Sequence, residues 1–202
     1  TRRLSSAASD VYKRQLKTSD GLSIELTTTN KDPGIDELIG NLQHEAPVLD
    51  FASVPEALGH ISGTIKYARE ASYDSVIGFY RVADTDGGVI DPLTGNVIKA
   101  SDTNYKEVAL ASTNLVTELA NYEVGDNANA EQNFIIDENS IIAPYAVSNG
   151  QTWFAFGEAN SDGIGHFKSF GTNAIGLEDW VGGGDKDYDD FIMKFDFNSV
   201  TS

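Results

Sequence analysis

An all-β fold, an antiparallel β-sandwich of jelly-roll type with one or two short helices, is predicted by three features of this chain. The stretch from Phe191 to Phe197 reads FIMKFDF, with Phe191, Met193, Phe195 and Phe197 on one face and Ile192, Lys194 and Asp196 on the other. Period-two alternation with one apolar face marks a half-buried antiparallel strand. Several other short runs of β-formers recur along the chain between turn signals, the pattern of a sandwich. Apolar residues make up 40% and aromatic residues 10%, enough to bury a core and unlike a disordered tail. At 202 residues the chain suits one domain, and it shows no internal repeat.

Thr1 to Gln15 reads TRRLSSAASDVYKRQ and lacks the apolar h-region of a signal peptide. The run SAASDVYKRQ resembles a translated sequencing adapter of the kind found at the ends of metagenomic reading frames. Residues 1–15 are therefore set aside, the alternative being a disordered basic arm. Residues 16–61 read as the first strand and helix of the domain, and residues 62–198 as the sandwich proper. Leu22 to Thr28 alternates and reads as a strand. Asp32-Pro33 opens a short helix, since Asp caps free amides and Pro suits the first helical position; Gly40-Asn41 ends it.

Between Ile61 and Val82 two strands are expected, around IKYA and SVIGFYRV, with a turn over Glu70 to Asp74. Asp84 to Asn96 is a loop by its Asp-Gly, Gly-Gly, Asp-Pro and Gly-Asn steps. Asp102 is placed to cap a helix over Asn104 to Asn121, with Val108, Leu115 and Leu119 as an incomplete apolar stripe. Glu123 to Glu131 is polar and reads as loop. Strands resume at Phe134 to Ile136, Ile141 to Val147 and Thr152 to Phe156, the last two joined by an Asn149-Gly150 hairpin turn. A turn at Asn160 to Gly163 precedes a short strand at His166 to Phe170.

Charge narrows the function. The formal charge is −17; without residues 1–15, which hold four bases and one acid, 10 Lys+Arg face 30 Asp+Glu, leaving −20. Phosphate backbones and anionic lipids would be repelled, so nucleic acid is excluded as a partner and direct membrane insertion is not expected. Such crowding of carboxylates costs free energy unless cations neutralise part of it. Ca2+ is the hard cation that prefers carboxylate and carbonyl oxygens. The competing reading is an acidic surface that binds nothing. There is no cysteine, which excludes disulfides, thiolate zinc sites and iron–sulfur clusters, and no run of 18 apolar residues.

The chemistry concentrates in Glu178 to Asp190, EDWVGGGDKDYDD. Six acids (Glu178, Asp179, Asp185, Asp187, Asp189, Asp190) stand against one base, Lys186, around the flexible Gly182, Gly183 and Gly184. A calcium ion takes six to eight oxygens, which such a loop can supply. Asp185-x-Asp187-x-Asp189 imitates the start of an EF-hand loop, but position six is Asp190 instead of Gly and position twelve is Asp196 instead of Glu. A calcium site in a β-loop is expected instead; the alternative is a solvated acidic turn.

These residues resemble the bacterial domain-of-unknown-function family 4114 over about Ser62 to Asn198. Its signature is G-x-E-D, two variable residues, then G-G-G-D-x-D-x-N-D and an alternating strand. Gly176, Glu178, Asp179, Gly182, Gly183, Gly184, Asp185, Asp187 and Asp190 fill those places, with Asp189 where the family usually has Asn. Ile77-Gly78-Phe79-Tyr80-Arg81-Val82, Ile142-Ala143-Pro144-Tyr145, Trp153-Phe154-Ala155-Phe156 and Ala159-Asn160-Ser161-Asp162-Gly163 agree. The resemblance implies a module of a large secreted or cell-surface bacterial protein, flanked by other domains and often beside calcium-binding repeats. It implies an extracellular or cell-surface location and calcium-dependent adhesion.

Secondary candidates follow. Asp162 sits in a tight turn and can complete the main site; the alternative is a turn residue bonding its own backbone. Asp84, Asp86 and Asp91 offer a second metal site, against a plain hairpin loop. Trp180, Asn173 and His166 are candidate ligand contacts, Trp180 as a platform beside the metal or as a packing anchor. His44, His60 and His166 form no H-x-x-x-H pair, so zinc is not expected. There is neither a G-x-S-x-G elbow nor a phosphate-binding Walker loop, and adjacent Glu178 and Asp179 lack the separation a glycosidase pair needs. The expectation is a non-enzymatic, calcium-dependent module recognising an extracellular peptide terminus or glycan. A calcium-rigidified spacer is the first alternative and a glycan hydrolase the second.

Overall fold

The computed structural model describes residues 15–17, 23–25, 35, 38–40, 43–56, 60–120, 122–171 and 173–200. Asp32, Pro33 and Asn41 of the expected first helix lie outside them, as do Leu22 and residues 26–28 of the first expected strand; residues 35, 38 and 39 are helical and Gly40 is a turn. Gln15, the last residue of the segment set aside above, pairs with Glu25 in a small hairpin of β1 (Gln15–Lys17) and β2 (Ser23–Glu25).

Two five-stranded antiparallel sheets make the sandwich that the sequence predicts. One runs β12 (Phe167–Ser169), β13 (Ala174–Leu177), β14 (Phe191–Val200), β4 (His60–Arg69) and β9 (Ala128–Ile136). The other runs β11 (Gln151–Phe154), β10 (Ile141–Ser148), β5 (Ser75–Val82) and β8 (Tyr122–Glu123), with β3 (Leu49–Asp50) also on β10. Aromatic rings from the two sheets meet edge to face: Phe79 of β5 lies 5.8 Å from Phe195 of β14, and Phe51, just after β3, lies 5.7 Å from Phe197. Each such fully buried side chain contributes roughly 1.5–3 kcal/mol.

The second sheet is covered on its outer face too. Residues between β5 and β8 fold back over it, carrying the hairpin of β6 (Val89–Ile90) and β7 (Val97–Ile98) and a helix at Tyr105–Ala109. The Tyr105 hydroxyl donates to the Gly87 carbonyl (2.6 Å) and so accepts from Tyr80 (3.0 Å). Tyr105 also packs against Phe154 at 5.5 Å. Phe154 and Phe156 lie under this layer, while Trp153, on the other face of the strand, stacks on His166; all three are buried, where alternation alone assigns one face to the core.

Three expectations are corrected. The helix over Asn104 to Asn121 stops at Ala109, because buried Asn114 donates to the carbonyls of Val108 (2.8 Å) and Ile90 (2.9 Å) and turns the chain. Asp102 does not cap it; its carboxylate accepts from the Lys99 amide (2.8 Å), and Asn104 occupies the cap. The polar run expected to be loop is half strand: β9 begins at Ala128 and pairs along β4 as far as Arg69. It is an edge strand, so its alternate residues face solvent and carry no apolar signal.

The acidic loop lies at one end of the sandwich, joining β13 to β14, whose register is Leu177↔Phe191. Hairpin loops usually hold two to five residues, so a connection from 178 to 190 is long and needs internal ties.

Candidate metal centre

Backbone conformation shapes the loop first. Gly182, Gly183 and Gly184 take left-handed φ values of 84°, 77° and 40°, and so do Lys186 (65°) and Tyr188 (60°). Holding a residue with a side chain there costs on the order of 1–2 kcal/mol. Two glycines are required by close approach. The Tyr188 carbonyl passes so near Gly176 that a Cβ there would stand 2.1 Å from its oxygen, and one at Gly184 would stand 2.2 Å from Glu178 Oε1.

Side chains then anchor the loop to the sandwich. Asp179 is buried, and its Oδ2 accepts from the hydroxyls of Ser75 (2.8 Å) and Ser148 (3.0 Å), which face each other across β5 and β10. The Asp179 amide donates to Asp190 Oδ2 (2.8 Å). His166 is wholly buried, stacks on Trp153 at 3.9 Å and donates from Nδ1 to the Glu178 carbonyl (2.5 Å). Its Nε2 faces Asp162 Oδ2 at 3.1 Å. Asp162 also accepts from the amides of Ile164 (3.1 Å) and Gly182 (2.9 Å). These bonds outweigh its partial desolvation and hold its carboxyl below the usual range.

Three carboxylates converge within this frame. Oxygens of Glu178, Asp185 and Asp187 lie within 4.8 Å of one another, with Glu178 buried and both Asp exposed. Among the described residues this is the one group of three acids, His or Cys drawn so close, and it can hold a metal ion. Asp189 lies alongside, its amide donating to Asp187 Oδ1 (3.3 Å).

The electrostatics show the strain of that convergence. Desolvation, then the charges of Asp185 and Asp187, raise the Glu178 carboxyl against hydrogen bonds from Asp190 and the Lys186 amide. Asp190 is pushed up to about 8 by burial and by the charges of Asp179 and Glu178, although the Asp179 amide opposes this. Burial and like charge thus favour the protonated form of Asp190.

A polar cavity of about 310 Å³ opens beside the loop, walled by Asp185, Asp189, Asp190, Glu70 and Asp126. The turns that carry Glu70 and Asp126 are tied together by buried Arg69, which donates to the carbonyls of Val124 (3.1 Å), Ala71 (3.3 Å) and Tyr73. The Ala71 amide closes the link on Asp126 Oδ1 (3.2 Å). Sequence reading singled out none of Glu70, Asp126, Ser75, Ser148 or Arg69. Only the strand pairings bring them to the loop, and no local spacing signals that.

Residues 112–198 match the family model described as domain of unknown function DUF4114. The match supports the resemblance carried by the C-terminal motif. The DUF4114 segment contains the whole acidic loop, the 160–166 turn and Ser148. The match begins at residue 112, so β4, β5 and the Ile77–Val82 motif lie upstream of it. No curated protein and no solved structure matches the chain.

The other site candidates resolve individually. Asp162 serves the turn and the glycine run through its three hydrogen bonds. His166 has no exposed surface and cannot touch a ligand; it positions Glu178. Asn173 extends the strand ladder, donating to the Phe195 carbonyl (2.7 Å) and accepting from the Phe195 amide (2.8 Å). Trp180 is half exposed and stacks on Tyr73 at 5.3 Å, so it combines anchoring with a free face. Asp84, Asp86 and Asp91 form no close group. Asp84 Oδ1 accepts from the amides of Asp86 and Gly88 (3.0 Å each), and Asp91 accepts from the Leu93 amide (2.9 Å) and the Thr94 hydroxyl (2.8 Å). Those carboxylates hold turns, as Asx motifs do. Among the described residues no helix is long and apolar enough to cross a membrane.

Proposed function

We propose that this chain is a calcium-dependent ligand-binding module of a secreted or cell-surface bacterial adhesin, acting without catalysis. The observation that carries the reading is the convergence of Glu178, Asp185 and Asp187 in one loop, beside Asp190, whose carboxyl is pushed upward by burial and by neighbouring negative charge. Calcium suits an all-oxygen donor set that mixes carboxylates with the carbonyls of a glycine-rich turn. Buried Glu178 supplies the inner ligand, and exposed Asp185 and Asp187 close the outer side.

An ion held by Glu178, Asp185 and Asp187 would sit beside the polar cavity and supply a positive centre there. A ligand carboxylate or vicinal hydroxyls would be drawn to it, which is how an otherwise repulsive acidic surface would attract a peptide terminus or a glycan. Trp180 offers its free ring face close by. Calorimetric titration of C-terminal peptides and of oligosaccharides, in calcium and in EDTA, tests this. Calcium-dependent heat lost in Asp185→Ala supports it, whereas binding that is indifferent to calcium contradicts it.

A spacer role is the second reading. The ties from Asp179 to Ser75 and Ser148 favour it, since they weld the loop to the opposite sheet. In that case calcium rigidifies the domain end and no ligand adds heat.

A further inference from the structure

Asn149-Gly150 is the one Asn-Gly step in the sequence, and it forms the two-residue turn between β10 and β11. Both residues are left-handed, at φ 46° and 74°, and both are exposed. Among the described residues, no side-chain hydrogen bond of Asn149 and no backbone hydrogen bond from the Gly150 amide holds them in place, and nothing beyond the two chain neighbours lies within 4 Å of where a Cβ on Gly150 would stand. A side-chain amide therefore neighbours an unblocked backbone nitrogen in solvent. The adjoining residue, Ser148, is buried and holds Asp179 of the acidic loop.

We propose that Asn149 is a self-modification site whose conversion loosens the acidic loop through Ser148. The Gly150 nitrogen attacks Asn149 Cγ and gives up its proton. A C–N bond forms, the bond from Cγ to the side-chain nitrogen breaks, and ammonia leaves with the proton. Water then opens the resulting succinimide at either carbonyl, giving aspartate or isoaspartate with no change of oxidation state. In isoaspartate the Cβ joins the main chain, so the turn gains an atom. A two-residue turn has no slack for it, because Ser148 and Gln151 must stay paired. The pairing of Ser148 with Ser75, and with it the double hydroxyl grip on Asp179, is strained next.

The test ages the whole chain at mildly alkaline pH in parallel with a free peptide of residues 145–154. Peptide mapping follows replacement of amide by carboxyl, and methylation by isoaspartyl methyltransferase locates isoaspartate. The expected result is conversion concentrated at residue 149 at a rate of the same order as in the peptide. The aged, metal-free protein should melt below the fresh protein, and Asn149→Gln should keep its melting temperature under the same treatment. An unmodified Asn149 after the peptide has fully converted overturns the proposal. So does converted protein that melts with the fresh sample, or an aged N149Q protein that loses as much stability. Should N149Q fail to fold, mapping and melting of the aged natural sequence still decide. None of these readouts uses calcium, so failure of the metal reading leaves this one standing.

Discussion

The Glu178 carboxylate lies where a side chain on residue 184 would begin: a Cβ on Gly184 would stand 2.2 Å from Oε1. The third glycine of the run thus makes room for the inner candidate ligand. Gly184→Ala should destabilise the loop by roughly 1–2 kcal/mol for the left-handed backbone alone. It should also displace Glu178 and abolish any calcium-induced rise in melting temperature. Alanine at Gly182, where nothing lies within 4 Å of the added Cβ, meets only the backbone cost. Differential scanning of both variants, with and without calcium, separates the two effects.

Asp179 and Asp185 belong to one motif but do different work, and paired substitutions show it. Asp179→Ala leaves the buried hydroxyls of Ser75 and Ser148 without their acceptor, at a cost of about 1–3 kcal/mol for each unsatisfied group. Its melting temperature should fall in EDTA and in calcium alike. Asp185→Ala removes an exposed charge from a crowded cluster, so EDTA stability should hold or rise while the calcium response disappears. Equal behaviour of the two variants contradicts this division.

The raised carboxyl of Asp190 predicts a pH dependence of definite sign. Its folded value, about 8, lies above the ordinary aspartate value near 4, so the folded metal-free domain binds the extra proton. The stability this contributes is fully present below about pH 4 and is lost as pH rises through about 8. Metal-free protein should therefore melt progressively lower across that window, and Asp190→Asn should flatten the profile. Calcium binding at neutral pH should release protons, visible as a heat that varies with the ionisation enthalpy of the buffer.

Trp180 and Trp153 are the chain's two tryptophans, and only Trp180 is exposed. Ordering of the loop by a cation should change fluorescence through Trp180 alone. Trp180→Phe should remove the calcium-dependent change and keep the buried Trp153 signal. Losing the stack on Tyr73 should cost about 1 kcal/mol or less. A calcium response that survives in W180F would place the ordering elsewhere.

Much of this architecture was legible in the sequence because its signals are local. The hairpin at Asn149-Gly150, the two strands flanking the Glu70–Asp74 turn and the acidic loop all follow from short-range pattern. Residues paired across space were not legible. In β14, Ile192, Lys194 and Asp196 are buried as well as the aromatic face, so the strand is covered on both sides where alternation predicts one. Lys and Asp at those positions look like a solvent face to any periodicity argument. Two-residue strands such as β3 and β8 leave no period to detect, and β13, with Gly176 in its middle, lacks alternation. In the candidate site the acids were visible as a cluster. Their sorting into anchors, turn formers and convergent ligands depends on Ser75, Ser148 and His166, which reach the loop only through the folded sheets.

The central claim is that a cation belongs among Glu178, Asp185 and Asp187. The most direct measurement is the melting temperature of the chain in EDTA and across rising calcium, with magnesium as the comparison. Calcium at 100 times its dissociation constant should add about 2.7 kcal/mol, a shift of several degrees for a domain of this size. The account predicts such a rise, selective for calcium and absent in Asp185→Ala. An unchanged melting temperature at saturating calcium would contradict it and leave an acidic loop held by its own hydrogen bonds.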